Sequence, residues 1–315
     1  MRPAMIFYIV ICAFALAVPL IGIYPIFMMK LLCFAMFACA YNLLLGFSGM
    51  LSFGHAAFFG AAGYATAWLI TARGWGTVPA IGAGVAVAAI LGWVIGAIAI
   101  RRRGIYLAMV TLALAQLVYF VCLEAPFTGG ENGLQGVARG SFLGLFSLRS
   151  DIVMYYVVLA AFVAQFLLIR RIVQSPYGQV LKAIRDNESR ALSLGYDINR
   201  YKLLAFVLSA TLAGFAGSLK GLVLGFITLS DVQQSNSGEV ILMTLLGGSG
   251  TFFGPVIGAA LVVTLQEYLS DIVGGWVGVI IGAIFVACVL AFRRGVVGEL
   301  SALRLRRWWG QAPAA

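Results

Sequence analysis

The charged side chains of this 315-residue chain are concentrated in one short stretch. Residues 170–202 hold ten of the 32 charged residues (21 basic and 11 acidic), and the sequence on either side is apolar. A charge at the centre of a membrane helix costs roughly 2.5–3.5 kcal/mol, so ten would together cost on the order of 25–35 kcal/mol. We therefore predict that the stretch 170–202 lies in water, as a loop with a helix of its own.

The loop carries the signals of one amphipathic helix. The dipeptide Ser175-Pro176 suits a helix start, and Gly195 suits a stop. Lys182, Asp186 and Arg190 carry alternating charges four residues apart on the polar side. The other face is an apolar stripe of Tyr177, Val180, Leu181, Ile184, Ala191 and Leu194. Such a stripe either lies against the protein itself or the lipid headgroups, or inserts into a groove on a soluble partner.

A few polar side chains lie within or beside the apolar runs. They are Asn42, His55, Gln116, Gln165, Lys220, Glu239, Gln266 and Glu267. Polar groups at membrane depth line a pathway or pair inside the protein. For His55, which is alone and next to a turn, a structural hydrogen bond is favoured over a catalytic or metal-binding role. Lys220 is predicted to snorkel at the outer end of its span, and Glu267 either pairs internally or lies at the outer interface.

The motifs of nucleotide and metal chemistry are missing from the sequence. There is no G-x-x-x-x-G-K-[ST] loop, no H-E-x-x-H pair and no G-x-S-x-G turn, and the chain has a single histidine. The five cysteines lie in apolar runs without a C-x-x-C, as small buried side chains do. We therefore predict no enzymatic activity, no metal and no cofactor in this chain, so that active transport would draw its energy from a partner.

The composition is that of a membrane protein. Hydrophobic residues make up 62% of the chain and charged residues 10%, whereas soluble domains carry about 25% charged residues. Most of the ten apolar segments come near the roughly 20 residues that a span needs. They are Ala4–Gly22, Phe27–Leu45, Ala56–Ile70, Pro79–Ile100, Ile105–Leu123, Ile152–Ile169, Tyr201–Ile227, Val240–Leu246, Pro255–Leu269 and Trp276–Phe292. The first resembles a signal peptide, but the sequence turns apolar again after Tyr24-Pro25, so a retained span is favoured.

The positive charges orient the predicted spans. With the N-terminus in the cytoplasm, 16 of the 21 basic residues fall on the inner side and four on the outer side. Both termini and the loop 170–202 are then cytoplasmic, and 124–151 is the largest outer loop. We predict an all-α, polytopic integral membrane protein of about ten spans with discontinuous segments, forming a single domain over 1–315. The net charge of +10 follows from this orientation and does not indicate a nucleic-acid partner.

Two apolar segments are interrupted by similar glycine-rich sequences. The stretch 46–55 reads GFSGMLSFGH and the stretch 247–255 reads GGSGTFFGP, each beside a shortened apolar run. Non-helical backbone at membrane depth needs protein or a water-filled cavity around it, so a matching pair points to a transport pathway. The alternative is a pair of cytoplasmic turns whose small residues allow close helix packing. The residues assigned to the pathway or gate are Asn42, Gly46, Gly49, Gly54, His55, Gly247, Gly248, Gly250, Gly254 and Pro255.

These motifs, in this order, resemble those of the LivM-type permease subunits of bacterial ABC importers for branched-chain amino acids. The resemblance runs through most of the chain, in YNLLLGFSGMLSFGHAAF at 41–58, GIYLAMVTLA at 104–113, SPYGQVLKAIRDNE at 175–188 and LGGSGTFFGP at 246–255. Shorter matches lie at 128–134, 194–195 and 200–206. Ten spans with the charged loop after the sixth are similar to the arrangement of the cobalamin importers.

The resemblance implies that the loop 170–202 carries a coupling helix seated in an ATP-binding subunit. The family pattern there is E-A-A-x-x-x-G, which matches Ala191 and Gly195. Its Glu position falls on Ser189 in this chain, and Glu188, one residue earlier, is the candidate substitute. The residues assigned to coupling are Arg185, Asp186, Glu188, Ala191 and Gly195.

The resemblance also implies partners and cargo. It implies a second homologous permease subunit, two ATPase subunits that bind ATP and Mg, and a periplasmic binding protein that docks on the outer loops, all at the bacterial inner membrane. The solute would be a branched-chain or other hydrophobic amino acid, although related importers carry urea, short amides or aromatic acids. Two rivals from other classes are a secondary transporter or channel that works without ATPases, and a membrane enzyme that depends on His55.

Overall fold

The computed structural model describes residues 24–142 and 146–291, and most of these residues are helical. The helices of this part of the chain are α1 Pro25–Asn42, α2 His55–Arg73, α3 Thr77–Ala99, α4 Ile105–Glu124, α5 Asp151–Gln174, α6 Pro176–Asp186, α7 Glu188–Ser193, α8 Ile198–Leu224, α9 Gln234–Gly247, α10 Gly254–Val273 and α11 Val277–Ala291. Two-residue strands form two antiparallel pairs, β1 Leu134–Gln135 with β4 Phe226–Ile227 and β2 Ser141–Phe142 with β3 Phe146–Ser147.

The predicted apolar segments agree with these helices. Each segment that falls in the described residues coincides with one helix, and α9 extends the short run Val240–Leu246 back to Gln234. Among the described residues, five helices are long and apolar enough to cross a membrane, namely α1 with the turn that follows it, α3, α4, α5 and α8. The predicted first span, Ala4–Gly22, lies outside the described residues.

Helix α8 is the centre of the bundle and packs against α1, α2 and α3. Its glycines let neighbouring helices approach closely. A Cβ atom on Gly217 would lie 1.9 Å from the Phe59 carbonyl oxygen, and one on Gly214 would lie 2.2 Å from the Ala88 Cβ. Lipid is as apolar as leucine, so close packing of small residues, rather than apolar burial, holds such a bundle together. Helix α1 is mostly enclosed, whereas α3, α4 and α5 expose apolar side chains such as Trp93.

The predicted outer loop 124–151 folds across the end of α8. Strand β1 pairs with β4 directly after α8. Arg139 donates from Nε to the Leu222 carbonyl oxygen at 3.3 Å and from Nη2 to the Val223 carbonyl oxygen. The same guanidinium pairs with Asp151 at the start of α5. The last carbonyl groups of a helix have no partner within the helix and lie at its negative end. The Arg139 guanidinium therefore caps the end of α8.

Lys220 forms a buried ion pair instead of snorkelling to the surface, which corrects the prediction from the sequence. Its Nζ lies 2.7 Å from both carboxylate oxygens of Asp231, and the two side chains are only 6% and 7% exposed. The Asp231 carboxylate also accepts from the Thr228 backbone N–H at 3.1 Å. Glu267 also pairs with a lysine of this chain, 2.8 Å from Lys30 Nζ, but its side chain is 53% exposed. Since water hardly reaches Lys220 and Asp231, each of these charges depends on the other for compensation.

The substitution Asp231→Asn should destabilise the protein strongly, because it leaves the Lys220 charge buried without a counter-charge. We expect a loss of roughly 3–5 kcal/mol, the cost of removing one partner of a buried pair. The measurement is the midpoint of thermal unfolding in detergent. The double variant Lys220→Met/Asp231→Leu should regain most of the stability, since it removes both charges and roughly keeps their volume. An Asp231→Asn protein as stable as the parent would contradict this account.

Candidate functional site

The two glycine-rich interruptions meet at one end of the bundle. Helix α1 continues into a π-helical turn, Leu43–Phe47, and the chain then runs without helix from Gly49 to Gly54 before α2 begins. The second interruption separates α9 from α10 at residues 248–253, with left-handed backbone at Gly250 (φ +78°). Single turns of π-helix are frequent at functional sites. Both breaks in the helices coincide with the glycine-rich stretches that the sequence indicated.

Asn42 joins the two interruptions. Its Oδ1 accepts from the Gly250 backbone N–H at 2.9 Å, and its Nδ2 donates to the Thr251 carbonyl oxygen at 2.8 Å. The Asn42 side chain is buried, so these bonds satisfy backbone groups that no helix pairs at this point. The end of α1 is thereby fixed to the turn between α9 and α10, across 208 residues of sequence.

The distances at this junction require glycine. A Cβ atom on Gly46 would lie 2.1 Å from Asn42 Oδ1 and 2.4 Å from the Gly250 nitrogen. A Cβ atom on Gly247 would lie 1.8 Å from the Gly254 carbonyl oxygen. Most residues assigned to the pathway or gate are buried, namely Asn42, Gly46, Gly54, His55, Gly247, Gly248, Gly254 and Pro255. The geometry supports the close-packing interpretation of these turns, and their part in a pathway or gate stays a prediction.

Arg185, on the loop helix α6, reaches into this junction. Its Nη1 donates to the Gly46 carbonyl oxygen and lies 3.4 Å from the position of a Cβ atom on Gly250. A Cβ atom on Gly49 (φ +71°) would stand 2.7 Å from Arg185 Cγ. Lys182, one turn earlier, places its Nζ 5.9 Å from the centroid of the Phe47 ring. The basic side of α6 is therefore in contact with both interruptions.

The loop contains two helices, where the sequence predicted a single one. Helix α6 ends at Asp186 and α7 begins at Glu188, because Asn187 is extended (φ −159°) and its Oδ1 accepts from the Arg190 N–H at 2.9 Å. Asparagine bonds readily to nearby backbone, which favours a break with a new cap over a helix interior. Asp186 and Arg190 are thus not on one helix as predicted, and Asp186 instead lies 3.4 Å from Arg185.

The apolar stripe of the loop packs against the protein itself. Leu181, Ile184 and Ala191 are at most 2% exposed. Ile184 and Ala191 form a small core with Ile198 of α8, and Tyr201 packs against it. Of the two positions that the sequence left open for the stripe, the structure shows contact with the chain's own helix. These side chains are therefore already covered and cannot at the same time fill a groove on a partner.

The end of α7 exposes apolar side chains to the outside of this chain. Leu192 is 63% exposed and Leu194, the last residue of the predicted stripe, is 70% exposed. Gly195 follows with φ +86°, a left-handed turn that ends the helical stretch as predicted. Two leucines this exposed, two residues apart in the chain, suit a contact with another protein.

Glu188 ties α7 to the rest of the protein. One carboxylate oxygen pairs with Lys202 Nζ, and the other lies 3.2 Å from Arg103 Nε. Lys202 is buried on α8, four residues after the buried Ile198 and so on the same helix face. This four-residue spacing is the sequence signal for the buried pair, which was not predicted. The coupling roles assigned to Arg185, Asp186, Glu188, Ala191 and Gly195 stay predictions.

Tyr177 anchors the first turn of α6. Its hydroxyl donates to the Tyr201 carbonyl oxygen at 3.0 Å, and the two rings stack with centroids 5.6 Å apart. Burial, reinforced by the neighbouring Tyr201, raises the pKa of the Tyr177 hydroxyl above its ordinary value. The hydroxyl therefore stays protonated, and keeps its role as a donor, across the physiological pH range.

His55 is a buried structural side chain, as the sequence favoured. Ser209 donates to the Ala40 carbonyl oxygen at 2.6 Å, so its oxygen accepts from His55 Nε2 at 2.9 Å. Ser52 Oγ then donates to Nδ1 at 3.1 Å, which assigns a neutral imidazole with its proton on Nε2. With both ring nitrogens bonded and the ring fully buried, His55 links the start of α2 to α1 and α8.

Comparison with known protein families gives a match over most of the chain. The family model described as the permease component of the branched-chain amino acid transport system matches residues 23–289. No solved structure matches the chain. The family assignment therefore rests on the sequence.

Curated relatives carry related descriptions. LivM, a permease protein of the high-affinity branched-chain amino acid transport system of Escherichia coli strain K12, is 32% identical over 256 residues, covering 73% of this chain and 60% of the relative. The chain thus spans about three fifths of the length of that relative. The probable LivM of Methanocaldococcus jannaschii is 28% identical, over 61% of this chain and 58% of the relative. The permease protein BraD of Pseudomonas aeruginosa is 25% identical, over 84% of this chain and 92% of the relative.

Replacing Asn42 by alanine should loosen the contact between the two interruptions. The change leaves the Gly250 N–H and the Thr251 carbonyl without partners, and each orphaned buried group costs about 1–3 kcal/mol. We expect faster amide hydrogen exchange at 248–253 in Asn42→Ala than in the parent, measured by mass spectrometry. Asn132→Ala, which truncates an exposed asparagine of the outer loop, is the matched control. Equal exchange rates at 248–253 in the two variants would disprove the bridge.

Proposed function

The chain belongs to the family of permease components of branched-chain amino acid transport systems, and on that basis we propose that it is the membrane-spanning permease subunit of an ATP-driven importer. The solute would be a branched-chain or other hydrophobic amino acid. Separate ATPase subunits would bind ATP and Mg and drive alternating access, while this chain supplies the path. The helices with the length and composition of membrane spans support this proposal.

The proposed topology has about ten spans in one domain, 1–315, in the bacterial inner membrane, with both termini in the cytoplasm. The distribution of basic residues supports this orientation, because it puts the loop 170–202 inside and the loop 124–151 in the periplasm. Arg139 would then close the periplasmic end of the bundle. The junction built around Asn42 would lie at the cytoplasmic end, next to the coupling loop.

The observation that carries the proposed mechanism is the hydrogen bond from Arg185 to the Gly46 carbonyl oxygen. An ATPase subunit would dock on the exposed end of α7, at Leu192 and Leu194. The loop is packed on α8 and held there by the pair of Glu188 with Lys202, so it would move as a unit when the ATPase moves. Arg185 would pass that movement to both interruptions.

The interruptions at 46–54 and 247–255 would act as the gate in this scheme. A substrate-binding protein would deliver the solute at the periplasmic loop 124–151, and a second, homologous permease subunit would complete the path. Neutral backbone and few fixed charges suit a zwitterion, which carries no net charge across the bilayer.

Proteoliposomes that contain the full complex test the proposal. Uptake of labelled leucine should require ATP, both ATPase subunits and the binding protein, and isoleucine and valine should compete. Import by the chain alone, driven by an ion gradient, would identify a secondary transporter and overturn the proposal. Competition by urea, short amides or aromatic acids, with none by isoleucine or valine, would assign the chain to a related importer.

The substitution Arg185→Ala should uncouple ATP hydrolysis from transport. It removes a charge-assisted hydrogen bond worth about 1.5–3 kcal/mol, so we expect leucine import to fall on the order of tenfold or more. ATP hydrolysis by the complex should be nearly unchanged, because Leu192 and Leu194 are untouched. Arg102→Ala, which removes an exposed arginine from the loop after α3, is the matched control. Parallel loss of import and hydrolysis in Arg185→Ala would indicate a docking role instead.

A further inference from the structure

A polar cleft opens where the start of α2, helix α4 and the start of α9 meet. Its volume of about 470 Å³ lies within the roughly 300–1,000 Å³ of ligand pockets. Two aromatic and four neutral polar residues line it, namely Phe53, Tyr119, Gln116, Gln233, Gln234 and Ser235. Gly238 completes the wall on α9. The lining therefore combines apolar surface with hydrogen-bonding groups and contains no acidic or basic side chain.

The cleft lies at membrane depth. Gln116 is eleven residues after the start of α4 at Ile105 and eight before its end at Glu124, which is about 16 Å and 12 Å of helix. Because the hydrocarbon core of a bilayer is about 30 Å thick, Gln116 falls inside it. The opposite wall lies beside the first turn of α2, since Ser237 Oγ in the first turn of α9 accepts from the Ala56 N–H at 2.9 Å.

The open side of this cleft is too polar to face lipid. Gln233, Gln234 and Ser235 are exposed on the surface of the chain, and Gln116 and Tyr119 are half-buried. An amide transferred from water to hydrocarbon without a hydrogen bond costs several kcal/mol. At this depth, such a surface is stable when it faces a water-filled path or another protein.

A second cavity of similar volume on the other side of α4 provides a contrast. It lies between α2, α3 and α4 and is lined mostly by apolar side chains, among them Leu91, Leu117 and Val121. That cavity offers apolar contact but few partners for a carboxylate or an ammonium group. Helix α4 thus separates a face suited to lipid from a face suited to a polar solute.

We propose that the polar cleft is the solute-contact site of the permease and that it holds a zwitterionic amino acid with an apolar side chain. This inference rests on the proposed function above. Amide and hydroxyl groups both donate and accept, so Gln116, Gln234 and Ser235 serve a carboxylate and an ammonium group alike. Phe53 and Tyr119 supply the surface against which a branched side chain packs. A second permease subunit across the open side would close the cleft.

The walls of the cleft are continuous with the cytoplasmic junction. Phe53 and Gly46 both belong to the first interruption, and Gly46 lies in the π-helical turn at its start. Gly238 stands on α9, and the last residue of that helix, Gly247, opens the second interruption. A movement of Arg185 at the junction would therefore displace two walls of the cleft.

Filling the cleft with Gly238→Leu tests the site. Apart from the chain neighbours of Gly238 and the backbone of its own helix, no atom of the described residues lies within 4 Å of a Cβ atom built on Gly238, so the added side chain enters open space. We expect leucine import by the full complex to fall about tenfold or more, the scale of a small misfit in a pocket. ATP hydrolysis should stay near the parent rate. Gly82→Leu, on the exposed face of α3 and with equally open surroundings, should import at the parent rate.

The dependence of the import loss on solute size distinguishes a filled cleft from a folding defect. The loss should grow from Gly238→Ala to Gly238→Leu, and valine import should be less impaired than leucine import in each variant. Leucine import at the parent rate in Gly238→Leu would overturn the site. A parent complex that imports no leucine would refute the proposed function itself, so the two failures are distinguishable.

A labelling experiment covers the case in which Gly238→Leu does not assemble. The introduced thiol of Gly238→Cys should react with a membrane-impermeant maleimide in the full complex. Leucine-loaded binding protein with ATP should slow this reaction relative to unloaded binding protein with ATP, because the solute occupies the cleft. Equal reaction rates would count against the site.

Discussion

One charge-assisted hydrogen bond ties the most polar part of this protein to its apolar core. Arg185 donates to the Gly46 carbonyl oxygen, which the π-helical turn places at the edge of the bundle. A guanidinium stays charged at any physiological pH and presents its donors in a rigid fork, so the contact is directional. Glycine makes the approach possible, because a Cβ atom on Gly49 would overlap the arginine stem. The interruptions and the loop are therefore one structural unit.

The two buried cations of the described bundle are each held by a carboxylate. Lys220 and Asp231 pair next to the loop 124–151, and Lys202 pairs with Glu188 of the loop 170–202. Between these ends, helices approach through small residues such as Gly217 and Gly214. The buried cations of the bundle therefore lie near its two ends, each compensated by a carboxylate.

Local patterns predict the elements of this fold well and the contacts between them poorly. The length of each apolar segment locates a predicted span, and the spacing of the glycines locates both interruptions. Each of these patterns lies within about twenty consecutive residues, so it can be seen in the sequence. The apolar stripe of the loop continues past Asn187, so periodicity alone predicts one helix, and a single capping side chain decides otherwise. The bond from Asn42 to Gly250 joins residues 208 apart, which no helical period can reveal. Lys220 finds its counter-charge in a turn beyond its own helix.

The small core of Ile184, Ala191 and Ile198 means that the loop is ordered before a partner arrives. A preformed surface gives up little conformational entropy on association, and its encounter rate is governed by diffusion and orientation rather than by folding. The heat-capacity change would also be modest, since the stripe is already out of water. In the proposed importer, the loop 170–202 would therefore present a preformed, rigid surface to the ATPase subunit.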